Sequence, residues 1–215
     1  MISFATRIKK LHQLYYSYSD NKKKTIVLYF SSLASVIIGI FVSVLNTSNL
    51  DPIAYGDVRY INNILNFFSC ILLFGFFITG GRILAITDDI AERKRINGAL
   101  IIILSLAILA NIILMISCYI LHQYILGKTF SILFIYTIPV CSAPLLLNYI
   151  NNTFQGENRI YNLSIARTLP GIIYLICGLI IYSSVKVNSA LMLCLQNGIL
   201  MIILTICIIY TKPTF

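Results

Sequence analysis

Residues 98–121 read GALIIILSLAILANIILMISCYIL, twenty-four consecutive residues without a charge and with Asn111 as the lone amide. As a helix this run is about 36 Å long at 1.5 Å per residue, more than the roughly 30 Å of bilayer hydrocarbon. Five further apolar runs flank it, at 26–45, 58–78, 130–149, 167–184 and 189–210. Each is long enough to cross a membrane. Only helices and closed barrels satisfy every backbone group in lipid, and the two-residue alternation of a barrel strand is absent. The sequence therefore predicts an all-α, polytopic integral membrane protein with six transmembrane helices. Its parts are a basic segment at 1–25, a bundle over 26–210 and a short tail at 211–215.

Composition agrees. Of the 215 residues, 59% are hydrophobic and 11% charged, against about 45–50% and 25% in soluble domains. Mean hydropathy is +0.89. An ordinary soluble domain, a disordered chain and a nucleic-acid-binding arm are excluded. The net charge of +9 has a topological explanation, because Lys and Arg gather in cytoplasmic loops. With the N-terminus inside, thirteen of the sixteen basic residues fall on the cytoplasmic side: Arg7, Lys9, Lys10, Lys22, Lys23, Lys24, Arg82, Arg93, Lys94, Arg95, Arg159, Arg167 and Lys212. Arg59, Lys128 and Lys186 fall outside. Both termini are expected in the cytoplasm. No small-residue cleavage site follows the first apolar run, so it is expected to stay as the first span and not leave as a signal peptide.

The cysteines Cys70, Cys118, Cys141, Cys177, Cys194 and Cys207 each lie in an apolar run, without C-x-x-C spacing. They read as soft packing residues, with no disulfide and no zinc. His12 and His122 have no ligand partner at metal spacing, so no metal or cofactor is implied. P-loop, G-x-S-x-G and H-E-x-x-H motifs are missing. Asp89 and Arg93 are four apart, which suits a short surface helix with pairing along one face.

Polar residues inside the spans carry the functional information. In the second span Arg59, Asn62, Asn66 and Ser69 sit at i, i+3, i+7 and i+10, on one helical face, with Asn63 beside them. Two readings stand. The row lines a hydrophilic cavity, Arg59 offering a fork to phosphate and the amides meeting hydroxyls; or it is interhelical glue with Arg59 snorkelling. Gln196-Asn197-Gly198 near the middle of the sixth span either lines the same cavity or bonds to a neighbour. Asn111 reads as structural. Ser31, Ser35, Gly39 and Ser43 form a small-residue stripe expected to admit another backbone. Pro139 and Pro144 predict a kink in the fourth span.

Two loops carry a family resemblance. Leu50-Asp51-Pro52-Ile53-Ala54-Tyr55-Gly56 resembles the L-G-P-x-x-Y-G segment after the first helix of polysaccharide-biosynthesis membrane proteins, with Asp51 in place of the usual Gly. Phe154-Gln155-Gly156-Glu157-Asn158-Arg159 is similar to that family's Q-G-x-x-R/K loop before helix five, and Arg167-Thr168-Leu169-Pro170 opens the next span much as there. These are the O-antigen (Wzx-type) flippases of the MATE-like superfamily. The resemblance implies one six-helix bundle of a two-bundle carrier in the bacterial inner membrane. That carrier flips undecaprenyl-pyrophosphate-linked repeat units by alternating access. The partners implied are a lipid-linked oligosaccharide, membrane lipids and a second six-helix half or another copy, with no nucleic acid. Arg59, Asn62, Asn66, Gln196 and Asn197 would line the cavity, with Arg59 on pyrophosphate or acidic sugar. Arg82, Arg159 and Arg167 at the cytoplasmic mouth would anchor topology. Family members usually have about twice as many helices, so on this resemblance the chain would supply the N-terminal half, either as a fragment or truncated transporter or as a half that pairs with another copy or chain. The rival readings are a glycan-assembly transferase, for which Asp51, Asp57 and His122 are the outer-side acid–base candidates, and an interaction subunit without transport of its own.

Overall fold

The computed structural model describes residues 20–125, 128–184 and 188–211. Arg7, Lys9, Lys10, His12, Lys186 and Lys212 lie outside them, as do most of the 1–25 and 211–215 segments. The described chain contains helices and no strand: α1 (Asp20–Asn49), α2 (Pro52–Leu73), α3 (Phe76–Ile86), α4 (Ile90–Ile125), α5 (Lys128–Thr137), a 3-10 turn at Ile138–Val140, α6 (Ala143–Gly156), α7 (Ile160–Ser184) and α8 (Ser189–Thr211). Five stretches are long and apolar enough to cross a membrane, at Lys22–Asn49, Ile90–His122, Leu133–Gly156, Ile160–Ser184 and Ser189–Ile209. The α2–α3 pair makes a sixth if its halves form one broken crossing. The protein is an all-α, multi-pass membrane protein.

Three elements differ from the sequence reading, each for a local reason. The 58–78 run is two helices meeting at 54°, because Phe74 (φ 38°) and Gly75 (φ 76°) both enter the left-handed region. Gly75 adopts it without a Cβ penalty. The kink expected in the 130–149 run is present as a break at the 3-10 turn, since Pro139 and Pro144 cannot donate backbone hydrogen bonds. Neighbouring side chains satisfy carbonyls at the break: Asn111 Nδ2 donates to Cys141 O at 2.9 Å and Cys194 Sγ to Tyr136 O at 3.3 Å. Asn111 is fully buried and is structural, as its isolation suggested.

The second and third differences are extensions. The acidic and basic stretch at 88–95 forms no separate surface helix: from Ile90 it is the first turns of the 36-residue α4. The 89–93 pairing is backbone only, and Arg93 Nε donates instead to Thr87 O at 2.6 Å. Gln155-Gly156 closes α6, and α7 begins at Ile160, so Arg167 lies two turns inside α7 instead of opening it.

The bundle is organised around α6, which packs on α3, α4, α7 and α8. One core cluster joins Phe77, Leu100, Tyr149, Ile150, Leu163 and Leu204. A second, toward the Asp51 end, joins Val58, Ile61, Leu65, Met115, Phe134 and Leu193. Helix α1 leans almost entirely on α7. Its small-residue stripe is only partly in the contact: Ser31 is buried and Ser35 half-buried, each bonding its own helix backbone, while Gly39 faces open space. The notches belong to α7, where Gly171 and Gly178 receive Ile38 and Leu45. Asn46 fixes the pair, accepting from Tyr174 Oη at 2.7 Å. In lipid such packing and hydrogen bonding, and not hydrophobic burial, hold helices together.

Candidate functional site

Helix α2 starts at Pro52, pre-shaped for a first turn, and runs straight to Leu73. That regularity places its polar residues along the seam with α8. Within the row, exposure grades across the helix. Ser69 is buried, Asn62 is half-buried, and Arg59, Asn63 and Asn66 are exposed. The apolar residues Val58, Ile61 and Leu65 hold α2 on the core.

Of the five cavity candidates, the structure brings two together. Asn197 Nδ2 donates to Asn62 Oδ1 at 3.1 Å and to Leu193 O of its own helix at 3.2 Å. This amide pair ties α8 to α2, so for Asn62 and Asn197 the interhelical bonding weighed in the sequence is present. Gln196 is half-buried beside Asn197. Asn66, one turn below Asn62, stays on the open side, and neither it nor Gln196 makes a side-chain hydrogen bond among the described residues. Arg59 joins none of the others: its Nε and Nη2 donate to the Tyr55 hydroxyl at 2.8 and 2.5 Å, and its guanidinium lies 5.0 Å from the Tyr55 ring centre.

The i, i+4 spacing of Tyr55 and Arg59 was readable in the sequence; the sequence reading passed over it. Three other polar contacts join residues far apart in the chain and gave no local signal: Asn46 with Tyr174, Asn97 with Glu157 at 2.8 Å, and Asn111 with Cys141. Asn97 and the Arg159–Glu157 ion pair (2.8 Å) secure the α6–α7 turn against α4.

The acid–base candidates are dispersed in role. Asp51 is exposed at the α2 N-terminus without a side-chain cap bond. Asp57 is half-buried. His122 lies 3.4 Å from the Tyr60 hydroxyl and 4.8 Å ring to ring from Phe134. Among the described residues no three His, Cys, Asp or Glu side chains gather as a metal site.

What remains is an open polar edge. Arg59, Asn63 and Asn66 stand at i, i+4 and i+7 beside exposed Tyr60 and Phe67. An amide without a partner costs several kcal/mol in hydrocarbon, of order 4–8 on the scale of transfer from water to a solvent that cannot hydrogen-bond. Two free amides on one face therefore call for water or a polar partner at that edge. The class this defines is a multi-pass helical membrane protein with a polar edge outside its core. Comparison with protein-family models, curated proteins and solved structures finds no match.

Proposed function

We propose that the chain is one six-span bundle of a carrier that flips undecaprenyl-pyrophosphate-linked O-antigen or polysaccharide repeat units across the bacterial inner membrane. Both termini are cytoplasmic, and the bundle works against a second one, either another copy or a separate half. The observation that carries this is the open edge of α2. Arg59, Asn63 and Asn66 lie outside the bundle core, where a lone bundle would expose them to acyl chains. A second bundle facing this edge encloses them around a wet path, as alternating access requires. Arg59 then meets the pyrophosphate or an acidic sugar, with Tyr55 holding its fork. Asn66 and Gln196 meet sugar hydroxyls. Asn62 and Asn197 form the rim and hold α8 in place.

The test is Arg59→Ala in cells that make the polymer from the assembled carrier. Surface polysaccharide falls while membrane insertion is unchanged. Normal polymer with normal insertion removes Arg59 from the path. The Asn62–Asn197 bond also favours a second reading, an interaction subunit whose amides are dry helix contacts. Co-purification with a larger membrane partner, with no loss of polymer on altering Arg59 or Asn66, selects that reading.

A further inference from the structure

A polar cavity lies where α3 crosses α6, at the end of the bundle opposite Asp51. It has a volume of about 300 Å³ and is lined by Arg82, Asn152 and Gln155 with Gly81, Gly156 and Ile78. That volume is at the lower end of the range for small-ligand pockets, about 300–1,000 Å³. The crossing is backbone on backbone. A Cβ on Gly81 would stand 2.5 Å from Asn152 O, and one on Gly156 would collide with the Gly81 carbonyl. Each glycine adjoins a long polar side chain, Arg82 after Gly81 and Gln155 before Gly156. The close approach thus sets a guanidinium and an amide around one hollow.

Three observations define the ligand. No carboxylate lines the cavity. Of the three arginines assigned to this mouth from sequence, Arg159 is paired with Glu157 and Arg167 Nε donates to Asn151 Oδ1 at 2.9 Å. Arg82 and Gln155 make no side-chain hydrogen bond or ion pair among the described residues. Arg82 is four residues from the end of α3 and Gln155 is in the last turn of α6, within about 6 Å of the helix ends. In a bundle whose helices cross the bilayer, helix ends of this kind reach the headgroup level.

We infer that this hollow is a phosphate-binding cradle, in which the Arg82 fork grips an anionic phosphate and the Gln155 amide donates to a third oxygen. A planar guanidinium with free N–H groups matches phosphate oxygens two at a time. The site is separate from the α2 edge, and the proposal stands whether or not the chain is a carrier.

The test uses the full chain purified in detergent, with lipid retention read by native mass spectrometry. The probes are phosphatidylglycerol, phosphatidic acid and zwitterionic phosphatidylcholine. The anionic lipids are retained over phosphatidylcholine. Arg82→Gln lowers their retention about tenfold, the size of one charge-assisted contact, and Gln155→Ala lowers it severalfold. Arg95→Gln, which removes an exposed arginine outside the cavity, leaves it unchanged. Arg82→Lys keeps charge and helix, loses the fork and lowers retention by an intermediate factor, which separates lost recognition from misfolding. Displacement by millimolar inorganic phosphate identifies a site for free phosphate, and resistance to it identifies a lipid headgroup site; both support the cradle. Retention unaffected by Arg82→Gln, or equally reduced by Arg95→Gln, overturns it.

Discussion

Replacing Gly81 with alanine tests the crossing that shapes the end of the bundle opposite Asp51. The added Cβ would lie 2.5 Å from Asn152 O and 3.1 Å from Asn152 C, against the 3.4 Å where ordinary contact begins. The obstacle is backbone, which no rotamer change relieves, so α3 and α6 must part by most of an ångström. Phe77 and Leu84 of α3 pack with Tyr149 and Ile150 of α6 in the same core cluster, and they lose contact together. Overpacking of this kind costs about 1–3 kcal/mol, and a backbone clash belongs at the upper end. Helix propensity works the other way, favouring alanine over glycine by about 1 kcal/mol. The net expectation is a loss of about 1–2 kcal/mol, or about 2–8 °C in the unfolding midpoint for a chain of this size. The assay is thermal unfolding in detergent followed with a thiol-reactive dye, for which Cys141, 1% exposed, is the buried reporter. Gly39→Ala is the matched control. A Cβ there meets nothing within 4 Å, so propensity acts alone and the midpoint is unchanged or rises. A Gly81→Ala protein as stable as the Gly39→Ala protein refutes the backbone crossing, and with it the cavity beside Arg82.

Two further outcomes follow from the hydrogen-bonded amides. Asn62→Leu and Asn197→Leu each destabilise the bundle, and the double variant loses less than the two singles combined. A double-mutant cycle should give a coupling of about 0.6–1.7 kcal/mol, the range for hydrogen bonds between membrane helices, while zero coupling dissolves the α2–α8 tie. Asn111→Leu strands the Cys141 carbonyl at the proline break and lowers stability by about 1–3 kcal/mol. Asn111→Gln cannot place its amide at the same point and should not restore the midpoint; full rescue by Gln contradicts the 2.9 Å bond as the cause.

The spans were legible in the sequence because lipid leaves the backbone one solution, and apolar length alone announces it. All six apolar runs are helical in the described residues. Their interruptions were legible only where the residue itself breaks a helix. Pro139 and Pro144 announced a kink, whereas Gly75 sat silently in a Leu- and Phe-rich run. The charges at Asp88–Asp89 and Arg93–Arg95 suggested a separate element, yet nothing there stops a helix, and Gly98 alone costs only about 1 kcal/mol. Periodicity placed the α2 row on one face correctly. It could not say that the face straddles a seam, with Asn62 turned toward Asn197 and Asn66 turned away, because the register of α8 against α2 is a tertiary property. The same holds for α1 and α7. The α1 stripe gives Ser31 to the buried surface but leaves Gly39 open, and the deepest notches are Gly171 and Gly178 on the partner.

Solvent accessibility at the edge of α2 bears most directly on the account. With the six native cysteines replaced, single cysteines at Asn66 and Phe67 are exposed to a water-soluble thiol reagent in intact membranes. Both positions lie on the outer surface of α2, so only their surroundings distinguish them. A wet edge predicts rapid labelling of Asn66→Cys and protection of Phe67→Cys. Equal protection of the two would place the Arg59–Asn66 edge in lipid or in a dry contact, contrary to the carrier.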